Sequence, residues 1–124
     1  MKPMRILIVD DSAMMRKMIR RVLTLSEVPV DEISEAGDGA EALRFLETHD
    51  VDVLLTDINM PVMTGTELLR ELASNPRYIA LRRIIISTDG SAARRDEAAA
   101  LDVRCYLEKP FSPEVIRDVL TEIA

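Results

Sequence analysis

Three nearly continuous apolar runs, ILIV (6–9), VDVLL (51–55) and IIIS (84–87), constrain this chain more than any other feature. A strand covered on both faces reads this way, whereas a strand with one wet face alternates. Two further runs, EISEA (32–36) and RCYLE (104–108), do alternate and carry charge, as edge strands do. Five strands are therefore predicted: Arg5–Asp10, Glu32–Ala36, Asp52–Asp57, Arg83–Ser87 and Arg104–Glu108. The segments between them are longer, and their apolar residues recur at helical spacing. One stripe is Met15, Met18, Ile19 and Val22, a second is Leu68, Leu69 and Leu72, and the last is Ile116, Val119, Leu120 and Ile123. Strand–helix alternation predicts an α/β fold, a doubly wound five-stranded parallel sheet with five helices. With the charged strands outside and right-handed crossovers, the order is 2-1-3-4-5.

Local signals agree with the helices. Thr64 with Glu67 has the pattern of a capping box, Ser112 before Pro113 that of an N-cap with proline at the first helical position, and Asp38 with Glu41 that of a similar start. The methionines of the first helix read as core filling. The 124 residues suit one domain, 1–124, whose core needs neither disulfide nor structural metal. Cys105, the single cysteine, has no internal partner, which fits a reducing compartment. No apolar stretch is long enough to span a bilayer and the amino terminus lacks a signal-peptide pattern, so a soluble, cytoplasmic protein is expected. A net charge of −6 and a pI near 4.8 argue against a nucleic-acid binder. The local run RKMIRR (16–21), interrupted by Met18 and Ile19, reads as a solvated helix face.

In a sheet of this order ligands bind beyond the carboxyl ends of the strands, where the winding reverses between strands one and three. Strand one ends in Asp10 with Asp11 after it, strand three in Asp57, strand four in Ser87 followed by Thr88, and strand five runs into Lys109-Pro110. Every polar candidate thus falls on one rim. Carboxylates packed there repel one another by about 4 kcal/mol per pair at ~4 Å in an effective dielectric near 20. Lys109 offers one positive charge against three negative ones, which predicts a divalent cation, and oxygen-only ligands at an open site suit Mg²⁺. A carboxylate beside Mg²⁺ and a lysine is also suited to accept a phosphoryl group, with Asp57 attacking and Lys109 and Ser87 holding phosphoryl oxygens. Taken singly each residue has a plainer use: Asp10 or Asp11 as a helix cap, Ser87 or Thr88 as another, Lys109 as a surface lysine, Asn59 as turn chemistry. Those uses leave the shared rim unexplained.

The segments ILIVDDSAMMRKMI, LLTDINMPVMTG, IIISTDG and YLEKPF occur in this order at spacings that resemble the receiver domain of two-component response regulators. The resemblance covers essentially the whole chain and is closest to the small stand-alone receivers of bacterial chemotaxis. It implies that Asp57 is phosphorylated by a partner histidine kinase. It also implies that Asp11 ligates Mg²⁺ directly, Asp10 chiefly through water, and Asn59 through its backbone carbonyl. Ser87 would be the switch hydroxyl, Tyr106 the switch aromatic, Lys109 the phosphoryl-binding lysine, and the Lys109–Pro110 bond cis. Phosphorylation would draw Ser87 toward the phosphoryl group and let Tyr106 rotate. The face built by helix four, strand five and helix five would then be reshaped for a downstream protein. Asn59 and Asp89 occupy positions near the attacking water in related receivers, and small polar and acidic residues there imply a short-lived phosphorylated state, with a phosphatase as a further partner. A monomer is expected, with a dimer open.

Two positions depart from the family pattern. Asp102-Val103 stands where members often carry Gly-Ala after helix four, and Thr88 where many chemotaxis receivers have alanine. Other readings of the same topology fit less well. A phosphoaspartate hydrolase of the haloacid-dehalogenase type places its nucleophile after the first strand, whereas here it follows the third. A flavin-binding module needs a Ser/Thr/Gly-rich phosphate loop where this chain has DDSAMM. A receiver used purely as a scaffold, a receiver excised from a longer regulator, and a phosphorelay or phosphate-sink receiver all remain open at the level of sequence.

Overall fold

The computed structural model describes residues 2–88, 96, 100, 101, 103 and 105–123. Five parallel strands, β1 (Met4–Val9), β2 (Val30–Ala36), β3 (Val53–Thr56), β4 (Arg82–Ser87) and β5 (Cys105–Glu108), lie in the order 2-1-3-4-5. Between them run α1 (Ala13–Leu25), α2 (Gly39–Thr48) and α3 (Gly65–Ala73), with a short 3₁₀ turn at Pro76–Tyr78, and a last helix covers Pro113–Ile123. The helix expected between β4 and β5 falls mostly outside the described residues, as do Asp89, Asp102 and Arg104.

The continuous apolar runs acquire a reason in the two-sided core. Ile6, Ile8, Leu55, Ile84 and Ile86 face Ile19 and Leu23 of α1 and Ile116 and Leu120 of the last helix. Leu7, Val9, Leu54 and Ile85 point the other way, onto Ala42 and Leu46 of α2 and Leu68, Leu69 and Leu72 of α3. Each fully buried side chain of this size contributes about 1.5–3 kcal/mol. Tyr106 belongs to the α2–α3 side, and Val103 packs against that cluster.

Strands one and three stop one residue short of their expected ends, at Val9 and Thr56. Asp10 and Asp57 still donate their own N–H groups to the sheet, to Ala36 O at 3.1 Å and Val9 O at 2.9 Å. Their carboxylates then turn onto the following backbone: Asp10 Oδ1 accepts from Ser12 N at 2.9 Å and Asp57 Oδ1 from Ile58 N at 2.8 Å. Such local bonds end a ladder. Asp52 is likewise outside β3, because its carboxylate accepts from Arg5 N at 2.8 Å and from the Arg5 guanidinium. β2 and β4 begin earlier than expected, at Val30 and Arg82.

The helix starts are as the sequence implies for three helices. Thr64 and Glu67 form the reciprocal capping box, Asp38 accepts from Glu41 N at 2.8 Å, and Ser112 accepts from Val115 N at 3.2 Å. The cap of α1 is Ser12, which accepts from Met15 N at 3.1 Å, so neither Asp10 nor Asp11 serves as its N-cap. Two sequence expectations for α1 are corrected. Met18 is not core filling: it is 50% exposed, because the inward arc runs through Met15, Ile19, Val22 and Leu23. The basic run is not one solvated face either. Arg16 and Arg20 lie against edge strand β2, donating to Glu35 at 2.9 and 2.8 Å, and only Lys17 and Arg21 point away. No helix among the described residues is long and apolar enough to cross a membrane.

Candidate functional site

The register of the sheet brings the site together. Val9 pairs with Thr56, so the residues that follow them, Asp10 and Asp57, emerge side by side. Ser87 pairs with Glu108, and Lys109 N–H donates to Ser87 O at 2.8 Å. The Lys109–Pro110 bond that follows is cis, in accord with the resemblance. From there the Lys109 ammonium reaches back across the rim, donating to Asp10 Oδ2 at 2.9 Å and to Asp57 Oδ2 at 3.2 Å. Asp11 completes the acidic set: one oxygen from each of Asp10, Asp11 and Asp57 lies within 4.8 Å of the others.

Burial differs sharply within the group. Asp10 is 2% exposed and Ser87 1%, whereas Asp11 and Asn59 are open to solvent and Asp57 is intermediate. Burial pushes the Asp57 carboxyl above the usual range and the negative Asp10 adds to this, while the Ile58 N–H and the Lys109 charge act against it. Burial works against the charged form of Lys109 too, but the hydrogen bond to Asp10 and the charge of Asp57 outweigh it and raise its pKa. The site is therefore short of positive charge: one ammonium serves two carboxylates while a third stands beside them. Hard oxygen donors grouped at an open rim fit a small divalent cation.

Sequence reasoning placed six of its candidates on this rim: Asp10, Asp11, Asp57 and Lys109 meet through side chains, Ser87 closes the adjacent strand, and Asn59 lies two residues beyond Asp57. Tyr106 on β5 pairs with Ile85, two positions before Ser87, and is 9% exposed and directed into the core. Thr88 is exposed. Asp89 falls outside the described residues. A separate concavity of about 620 Å³ opens at the opposite rim, lined by Arg5, Asp52 and Arg82, away from every one of these groups.

The sequence matches the pattern described as the Response regulator receiver domain over residues 6–121. The chain belongs to that family. It is similar to receivers from several bacteria. A chemotaxis protein CheY homolog of Campylobacter jejuni is 37% identical over 121 residues, covering 97% of this chain and 92% of the relative. The chemotaxis protein CheY1 of Helicobacter pylori is 38% identical over 118 residues, covering 94% of each. Among solved structures, the chemotaxis response regulator CheY4 of Vibrio cholerae superposes with a TM-score of 0.86 at 31% identity, covering 99% of this chain and 100% of that one. Receivers of this type are signalling switches rather than turnover enzymes.

Three residues that shape this receiver's site were not singled out from the sequence. Gly65 opens α3 against the backbone of the loop that follows β3: its N–H donates to Ile58 O at 2.8 Å, and an added Cβ would lie 2.0 Å from Asp57 O. Gly39 opens α2 against the far end of the same loop, where a Cβ would lie 2.9 Å from Met63 O. Both glycines stand directly after a capping residue, the one signal that a helix start is jammed against another backbone. Arg16 donates to Asp10 O at 2.6 Å as well as to Glu35, fixing the turn that aims the acidic pair. Its position within an apparent surface run hid it.

Proposed function

We propose that this receiver accepts a phosphoryl group on Asp57 from a phosphohistidine of a sensor histidine kinase. The observation that carries the reading is the placement of the Lys109 ammonium between Asp10 and Asp57, 2.9 and 3.2 Å from their oxygens, on a rim with surplus negative charge. An Asp57 oxygen attacks phosphorus, the bond from phosphorus to the donor imidazole nitrogen breaks, and the nitrogen takes up a proton. Asp57 is held for this role by the Ile58 N–H on Oδ1, which leaves Oδ2 as the oxygen facing Lys109. Lys109 exchanges part of its contact with Asp57 for a phosphoryl oxygen, and the Ser87 hydroxyl donates to another.

Asp10, Asp11 and Asp57, with the backbone carbonyl of Asn59, are the residues that would hold Mg²⁺. Bound there, Mg²⁺ would supply the positive charge that phosphoryl oxygens require. Asn59 and Asp89 govern hydrolysis of the aspartyl phosphate, the receiver's only other chemistry, and the phosphorylated state is short-lived.

Phosphorylation favours one of two packings of Ser87 and Tyr106. The buried position of the Tyr106 ring supports a role in reshaping the face of helix four, β5 and the last helix, where a downstream protein docks. The chain acts as one receiver domain, 1–124, in the cytoplasm. That its relatives are chemotaxis proteins favours a chemotaxis-type output over phosphorelay transfer.

Incubation with a small acyl phosphate, with and without Mg²⁺, followed by intact-mass measurement tests the reading. One phosphoryl unit per chain that appears only with Mg²⁺ supports it; no adduct in either condition defeats it.

A further inference from the structure

We infer that Arg16 and Glu35 form a positioning relay from edge strand β2 to the acidic rim, one that sets cation affinity by holding Asp11 in place; this rests on the reading of that rim as a divalent-cation site.

Asp10 and Asp11 are held in different ways. Every polar group of Asp10 has a protein partner. Its N–H donates to Ala36 O at 3.1 Å, Oδ1 accepts from Ser12 N at 2.9 Å, and Oδ2 accepts from Lys109 Nζ at 2.9 Å. Its carbonyl accepts from Arg16 Nη1 at 2.6 Å. The Asp11 carboxylate is exposed and, among the described residues, has neither a hydrogen bond nor an ion pair. Its place within 4.8 Å of the other two carboxylates is therefore set by the backbone that carries it. The peptide unit joining Asp10 to Asp11 is planar, so fixing the Asp10 carbonyl fixes the Asp11 N and Cα with it. Arg16 holds that carbonyl.

Arg16 is itself anchored. Its Nε donates to Glu35 Oε1 at 2.9 Å, and the second Glu35 oxygen accepts from Arg20 Nε and Nη2 at 3.1 and 2.8 Å. Glu35 pairs with Ile8, whose side chain packs on α1, so its carboxylate stands on the α1 side of the sheet. Arg16 and Arg20, four residues apart, reach it from one side of that helix. Arg20 and Arg16 together keep the Glu35 carboxyl below its ordinary range, against the effect of burial. Partly exposed ion pairs of this kind do little by themselves. What sets Arg16 apart is its planar fork, which puts one nitrogen on the β2 carboxylate and another on the main chain of the acidic turn.

Charge and aim act in opposite senses here. As a charge, Arg16 repels a cation at the rim, so its removal would tighten cation binding through the field alone. As a positioning residue it holds Asp11 where a cation needs it, so its removal weakens binding. Arg20 supplies the control: it carries the same charge and contacts the same carboxylate without touching Asp10.

Electron paramagnetic resonance of free Mn²⁺, titrated into the full chain and displaced with Mg²⁺, tests this without reference to phosphoryl transfer. Hard oxygen donors take both ions. Arg16→Met is expected to weaken Mn²⁺ affinity about tenfold, the scale for losing a group that orients a ligand. Arg20→Met is expected to leave affinity unchanged or slightly tighter. Arg16→Lys keeps the charge but holds one acceptor at a time, so it binds less tightly than the native chain, and it carries the test if Arg16→Met lacks native circular dichroism. A native chain that binds no Mn²⁺ defeats the cation reading and the relay with it. Native binding that Asp11→Asn abolishes, but that the folded Arg16 variants leave unchanged or tighter, overturns the relay alone. So does equal weakening in Arg16→Met and Arg20→Met, which would trace the loss to the seating of α1 rather than to the Asp10 carbonyl.

Discussion

Lys109 Nζ lies 3.2 Å from Asp57 Oδ2, two atoms that the chain brings together from positions 52 residues apart. β3 delivers the carboxylate and β5 the ammonium, and their shared rim is a product of strand order rather than of local sequence. Under the proposed phosphoryl acceptance, removing this cation leaves phosphoryl charge without its protein counter-ion. Lys109→Ala is predicted to slow phosphoryl acceptance by about 100-fold, the scale seen when one preorganised donor to a developing charge is lost. The chain has no tryptophan to report the reaction, so quench and intact-mass measurement is the suitable assay.

The Asp57 carboxyl is raised by burial, the sign of a group whose ionised form the fold disfavours. Its folded pKa exceeds its unfolded one. The favourable contribution is therefore complete below the ordinary carboxylate range and is lost as pH rises through the folded pKa. At neutral pH and without divalent metal, Asp57→Asn is predicted to raise stability by about 1 kcal/mol, or about 4 °C in Tm for a domain of this size. The difference should shrink as pH is lowered through the carboxylate range. Thermal unfolding of both chains at several pH values checks this.

Divalent metal should act in the opposite sense. A cation that binds only the folded state adds about 1.4 kcal/mol at ten times its dissociation constant. Mg²⁺ is predicted to raise the Tm of the native chain, while Asp11→Asn, which removes an exposed member of the acidic set, largely abolishes the response. Equal Mg²⁺ shifts in both chains would place the cation away from this rim.

Val62, in the loop that follows β3, and Gly65, where α3 meets that loop, should respond in opposite directions to substitution. Gly65→Ala drives a methyl into the Asp57 carbonyl, 2.0 Å away, and is predicted to cost about 3 kcal/mol, as overpacking against backbone does. Val62 holds φ at 65°, a left-handed conformation that a β-branched residue rarely adopts, and it is 82% exposed, so little packing is at stake. Val62→Asn is predicted to gain about 1 kcal/mol. Denaturant unfolding distinguishes the two.

The fold was legible because burial on both faces leaves a pattern along the chain. ILIV, VDVLL and IIIS declared central strands, and the charged EISEA and RCYLE declared the edges of the observed 2-1-3-4-5 sheet. The rim candidates were legible because strand order converts chain position into location. Contacts that depend on side-chain reach were not. Nothing in RKMIRR separates Arg16, tied to Asp10 O and Glu35, from its solvated neighbour Lys17. The exposure of Met18 was hidden because its spacing from Met15 and Val22 is also helical. The ends of β1 and β3 were overrun because Asp10 and Asp57 still pair through their own N–H groups.

Reductive trapping with borohydride after exposure to an acyl phosphate tests the central claim most directly, since it converts an aspartyl phosphate into a stable alcohol that peptide mass mapping can place. Conversion confined to Asp57, dependent on Mg²⁺ and absent from Asp57→Asn, is the predicted result. Conversion at another carboxylate with Asp57 untouched, or none at all on the native chain, would contradict the account.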